Sequence, residues 1–192
     1  MFNIDEYIKS SINTKTEILK DDTLKSITQK VSDAIVNAIN NGRKVLIAGN
    51  GGSAADAQHF AGELVSRFFF DRPGLPAIAI TTDTSILTAI GNDYGYEKSF
   101  SRQVQALGAE GDVFVGISTS GNSLNIVNAL EEAKNKGLVT VGMVGQKDCK
   151  MDKMCDYVIK VPSEVTPTIQ ESHLMIYHMI CAIVEDRIFG KD

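Results

Sequence analysis

Apolar residues recur at spacings of three and four early in the chain. Leu24, Ile27, Val31, Ala34 or Ile35, and Ala38 fall on one helical face, and Asn41-Gly42 supplies the stop. A shorter helix is expected ahead of it, from about Asn3 to Leu19. Beyond Gly42 the pattern changes to short apolar runs, each followed by a Gly- or Ser-rich loop and then a helical period. The predicted strands are Lys44 to Ala48, Ala77 to Ile80, Asp112 to Ile117, Val139 to Val144 and Tyr157 to Val161. Several are near-continuously apolar, as strands covered on both faces are. Helices are predicted over Ala54 to Phe69, Ser85 to Ile90, Tyr96 to Leu107, Ser123 to Lys136 and Thr168 to Phe189. This βα alternation predicts an α/β fold, a doubly wound five-stranded parallel sheet of flavodoxin-like type with N-terminal helices. Ligands are then expected at the carboxyl ends of the strands.

At 192 residues, 43% hydrophobic and 22% charged, the chain suits one domain, residues 1–192. Two leading helices over residues 1–41 leave apolar stripes that another subunit would cover, so a homo-oligomer is expected. The N-terminus shows no signal-peptide pattern and no segment approaches the roughly 20 apolar residues of a membrane span, which predicts a cytoplasmic protein with no membrane role. With 24 acidic and 19 basic residues the net charge is −5, which lacks the basic footprint of a nucleic-acid binder and points to a small-molecule or protein partner. Cys149, Cys155 and Cys181 are an odd number without metal-ligand spacing, and they read as reduced thiols.

Two loops have the chemistry of anion sites. Gly49-Asn50-Gly51-Gly52-Ser53 follows the first strand and opens a helix, where glycines admit a close approach and the helix start offers free N–H groups. It has neither the Gly-Lys-Ser/Thr of a Walker loop nor the glycine spacing of a dinucleotide fingerprint. A tight turn requiring positive φ is the alternative. Ser118-Thr119-Ser120-Gly121-Asn122-Ser123 opens the helix after the third strand, and its hydroxyls can surround a phosphate with neutral donors. Simple helix capping is the alternative there.

His59 and Glu63 stand four apart, on one face of the same predicted helix, and Arg67 continues the row. Such a pair can ligate a divalent metal, or the carboxylate can act as a base. A surface Glu63–Arg67 ion pair is the plainer reading. The C-terminal helix carries Gln170, His173 and His178. Gln170 and His178 are eight apart, about 12 Å along a helix axis. They could share a metal only if Gln170 precedes the helix or if the two come from different subunits. His173 reads as structural.

Five ordered blocks carry a resemblance: Gly49 to Ser53, Asp56 to Leu64, Gly91 to Tyr96, Gly116 to Ser123, and Ile169 to Glu171. Together they closely resemble the bacterial phosphoheptose isomerases, a family of sugar isomerase domain proteins, from about residue 20 to the end. The resemblance implies conversion of sedoheptulose 7-phosphate to D-glycero-D-manno-heptose 7-phosphate, the entry to the heptose of surface polysaccharide, whether lipopolysaccharide or capsule. It also implies a homotetramer with composite sites and one zinc per subunit. By the same resemblance, Glu63 is the base and His178 its partner acid, while His59, Glu63, Gln170 and His178 are the metal ligands. Asn50, Gly51, Gly52, Ser53, Ser118, Thr119, Ser120 and Ser123 are the substrate and phosphate contacts, joined by Glu63, Arg67, Asn92, Asp93, Thr168 and Gln170. Thr168 stands where some relatives carry Arg, which leaves contacts to the sugar's middle hydroxyls open. A non-catalytic protein of the same fold that binds a replication initiator is the alternative, and retention of both Glu63 and His178 argues against it.

Overall fold

A computed structural model describes residues 2–190. The chain opens with α1 (Ile4–Lys20), whose N-cap Asn3 accepts hydrogen bonds from the amides of Asp5 and Glu6, and α2 (Asp22–Asn40), capped by Asp21 through the amide of Leu24. The buried stripe of α2 is Leu24, Thr28, Val31, Ser32, Ile35 and Ala38, close to the expected periodicity.

Five parallel strands follow: β1 (Val45–Gly49), β2 (Ala77–Ala79), β3 (Val113–Ile117), β4 (Val139–Val144) and β5 (Tyr157–Lys160). Their order is β2-β1-β3-β4-β5, the doubly wound arrangement that the alternation predicts. Helices α3 (Gly52–Val65), α4 (Thr84–Tyr94), α5 (Ser101–Leu107) and α6 (Leu124–Asn135) lie in the connections between strands, and α7 (Thr166–Phe189) follows the last strand. Two apolar cores flank the sheet. Val45 and Ile47 face one core, shared with α2, α3 and α7, whereas Leu46 and Ala48 face the other, shared with α5 and α6. Central strands buried on both faces explain why β1 and β3 read as unbroken apolar runs.

Several boundaries differ from expectation, among them the end of α4, which runs on to Tyr94 past the predicted Ile90, and three others follow from local features. The helix predicted over Ala54 to Phe69 stops at Val65, because the carboxylate of Glu185 on α7 takes the amides of Phe68 and Phe69 at 2.8 and 2.6 Å. Arg72 donates to the carbonyls of Glu63 and Leu64 at the same helix end. The helix predicted over Tyr96 to Leu107 is split into a 3₁₀ turn, Tyr96–Lys98, and α5, after Gly95 turns the chain at φ 87°. Finally, α7 starts at Thr166, with Pro167 in its first turn. Gln170 therefore lies inside the helix, so it does not precede it.

Candidate active site

Strand order reverses between β1 and β3, and the crevice above their carboxyl ends is the ligand position of such folds. Both Gly/Ser loops meet there. Gly51 adopts φ 55° and Gly121 φ 63°, so both tight turns use the glycine-favoured region. Between the loops is a cavity of about 190 Å³ lined by Asn50, Ser53, Ser118, Thr119 and Ser123, and by Thr166 and Gln170 from α7. Among the described residues no charged side chain lines it. Hydroxyls, amides and the starts of α3 and α6 are the available donors, a set suited to holding a phosphate that must later leave.

The hydroxyls are ordered among themselves. Ser118 Oγ lies 2.9 Å from Ser123 Oγ and 3.4 Å from Ser120 Oγ. Asn50 is fixed from behind by Asn125. Each amide donates to the other's oxygen, at 2.9 and 2.8 Å, and the Tyr96 hydroxyl donates to Asn50 Oδ1 at 2.9 Å. The oxygen of Asn50 is thereby occupied, and one N–H remains for a ligand. Gln170 packs its amide against Gly52, where any side chain would collide with it.

A second cluster lies further along α3 and α7. His59 Nε2 is 2.9 Å from Glu63 Oε1 and 3.3 Å from His178 Nε2. One donor atom from each of the three residues falls within 4.8 Å of the others. In a tetrahedral site with bonds of about 2.1 Å, neighbouring ligand atoms sit about 3.4 Å apart, so this spacing fits a divalent metal. Two imidazole nitrogens and one carboxylate oxygen, with a position left open, match a catalytic rather than a structural donor set. His178 is held below the usual histidine pKa by burial and by the neighbouring His59, partly offset by Glu63. Phe68 leans on the His178 ring, with centroids 5.4 Å apart.

Not every expected residue joins these clusters. Arg67 follows the end of α3, so the row from His59 through Glu63 does not continue to it, and Glu63 pairs with His59. Asn92 and Asp93 are exposed at the end of α4, with Asn92 donating to Asp93 at 2.8 Å. Thr168 is buried, and Thr166 is the threonine that lines the cavity. Gln170 sits at the phosphate-type cavity, whereas His178 lies two helical turns on. His173 is fully buried with Nε2 3.2 Å from the Val144 carbonyl, the structural role that its position suggests. All three cysteines are free thiols. Sequence reading gave no role to Asn125, Thr166 or Tyr177. Asn125 had a usable signal in its place just inside the helix that follows the serine loop.

Comparison with known proteins decides the family. A model of the SIS domain matches residues 6–145. The phosphoheptose isomerase of Aneurinibacillus thermoaerophilus is 62% identical over 97% of this chain and 94% of its own length. Phosphoheptose isomerase 2 of Campylobacter jejuni is 60% identical over 100% of this chain and 97% of its own. The chain belongs to the phosphoheptose isomerases. Solved phosphoheptose isomerases agree in shape. The GmhA structure from Neisseria gonorrhoeae gives a TM-score of 0.89 at 41% identity, covering 95% of this chain and 97% of that one. That from Francisella tularensis gives 0.91 at 39% identity, covering 95% and 96%. Like other phosphoheptose isomerases, the chain is an aldose–ketose isomerase in class. Among the described residues no helix is long and apolar enough to cross a membrane.

Proposed function

We propose that the chain converts sedoheptulose 7-phosphate to D-glycero-D-manno-heptose 7-phosphate through an enediol, the first step toward the heptose of a surface polysaccharide. The observation that carries the reading is the meeting of the Glu63 carboxylate and the His178 imidazole, from different helices, within one 4.8 Å cluster. A non-catalytic scaffold would not need that convergence, which weighs against an initiator-binding protein.

In this mechanism the Ser118–Ser123 loop and Asn50 hold the phosphate. Glu63 removes a proton from C1 as His178, through the ring nitrogen it does not give to a metal, protonates the C2 carbonyl oxygen, and the C1–H electrons become the C1–C2 double bond of the enediol. Return of the proton to C2, with loss of the O1 proton, yields the aldehyde. His59, Glu63 and His178 would hold a metal, read as zinc, which when bound polarises the sugar oxygens. Glu63 can serve both purposes because it has two oxygens. Oε1 faces His59, and among the described residues Oε2 has no hydrogen-bond partner, so it is available to the substrate proton.

Gln170 could join that metal only from another copy of the chain. The row of exposed apolar residues on α1, Ile4, Ile8, Ile12 and Leu19, supports the reading of a tetramer with sites shared between subunits, in which that reach would be met. The free thiols and phosphorylated substrate support a cytoplasmic setting. The direct test is incubation of the purified protein with sedoheptulose 7-phosphate, following the appearance of an aldose phosphate. No conversion in the presence of divalent metal would reject the proposal.

A further inference from the structure

His59 has two ring nitrogens, and only one faces the cluster. Its Nδ1 lies 3.0 Å from the hydroxyl of Tyr177, and that hydroxyl lies 3.5 Å from Asp56 Oδ1. Tyr177 is fully buried and rigidly seated. Its ring stacks on Phe60 with centroids 5.2 Å apart and planes at 12°, and it meets the rings of His59 and His178 edge-on. Asp56 Oδ2 is buried with no hydrogen-bond partner among the described residues.

We infer that Tyr177, backed by Asp56, is the positioning residue that sets the tautomer and ring orientation of His59 for metal binding. The inference rests on the metal site proposed above and adds to it the group that prepares its exposed ligand. A histidine that gives Nε2 to a metal must carry its proton on Nδ1. That N–H needs an acceptor. The Tyr177 oxygen can accept it only if its own hydroxyl hydrogen points elsewhere, and Asp56 is the acceptor in reach. The chain therefore runs in one direction, from His59 Nδ1–H to Tyr177 O–H to the Asp56 carboxylate. Without a metal, Nε2–H can instead donate to Glu63 and the Tyr177 hydroxyl can turn to Nδ1. Loading the site thus reverses the Tyr177 hydroxyl. Hydrogen-bond partners behind a ligating histidine are worth roughly 10–100-fold in metal affinity.

The test is metal affinity of the metal-stripped full-length protein, measured by cobalt(II) absorption and by zinc competition with a chromophoric chelator. The panel is wild type, His59→Ala, Tyr177→Phe and Asp56→Asn. Tyr177→Phe keeps the ring stack and removes one oxygen. It should bind roughly 10–100-fold more weakly, shift the cobalt spectrum, and leave the melting temperature of the metal-free protein close to wild type. Asp56→Asn keeps an acceptor oxygen and should show a smaller loss. Wild-type affinity and spectrum in Tyr177→Phe, alongside a large loss in His59→Ala, would overturn this inference and leave the metal site standing. Failure of the wild type itself to bind either metal would overturn the metal site, and this inference with it.

Discussion

The side-chain amide of Gln170 lies directly over the α-carbon of Gly52, so that a β-carbon at position 52 would collide with Gln170 Nε2. The colliding atom is the far end of a flexible side chain, and α3 tolerates alanine well. Gly52→Ala should therefore fold normally while pushing Gln170 out of its place beside the phosphate-type cavity. We expect the KM for sedoheptulose 7-phosphate to rise about tenfold, ~1.4 kcal/mol, with an unchanged melting temperature. An unchanged KM would remove Gln170 from substrate binding.

Glu63→Gln keeps the shape of the side chain and removes its basicity. Circular dichroism and melting temperature should match wild type, while turnover falls by at least about 100-fold, the usual scale of a lost general base. Treating the wild type with a strong chelator should also lower turnover, and added zinc should restore it. Full activity in Glu63→Gln would remove this residue from the mechanism.

Arg72 and Glu185 form an ion pair with side chains only 2% and 1% exposed. Burial opposes the charge on Glu185, but the amides of Phe69 and Phe68 and the Arg72 guanidinium outweigh it and hold its pKa below the usual range. Glu185→Ala would strand a buried guanidinium and two amides. Urea denaturation should report a loss of about 3–5 kcal/mol, and proteolysis should open the segment between Ser66 and Arg72. A loss below about 1 kcal/mol, the range of a surface pair, would contradict this account.

His173 gives the fold a defined acid sensitivity. Burial drives its pKa down to about 4 from the ordinary 6.5, with only partial relief from the Val144 carbonyl. Between those values the unfolded chain binds a proton that the folded one refuses, so stability falls as pH drops from 6.5 toward 4. The full effect is on the order of 3 kcal/mol. His173→Gln, whose amide can still donate to Val144, should lose less stability than wild type between pH 7 and pH 5 in parallel denaturant titrations. Equal losses would show that His173 is not the group responsible.

Much of this molecule was legible in its residue pattern, because the signals were local. Apolar runs such as Val45 to Ala48 marked the central strands, and the glycines of the first loop marked a turn of positive φ, which Gly51 makes. Helical spacing put His59 and Glu63 on one face but left Glu63 a choice between His59 and Arg67, which the early end of α3 settles for His59. What escaped was set by contacts distant in sequence. Nothing near Val65 announces that Glu185, some 120 residues later, will end α3 there. Nor could spacing separate Thr166 from Thr168, because which threonine faces the cavity depends on where α7 begins. Nothing in the residue pattern singles out Tyr177, and only the fold shows its hydroxyl reaching back to His59.

Helix α7 places Gln170 at the cavity, Tyr177 and His178 at the imidazole cluster, and Glu185 beneath the Ser66–Arg72 segment, all along a single rod. Because each residue in a helix advances the chain by about 1.5 Å and 100°, inserting or deleting one residue between Gln170 and Glu185 would swing everything downstream away from its partner. Substitutions on the outward face of this rod can accumulate in evolution, but its length between these stations cannot drift by even one position without disconnecting at least one of them.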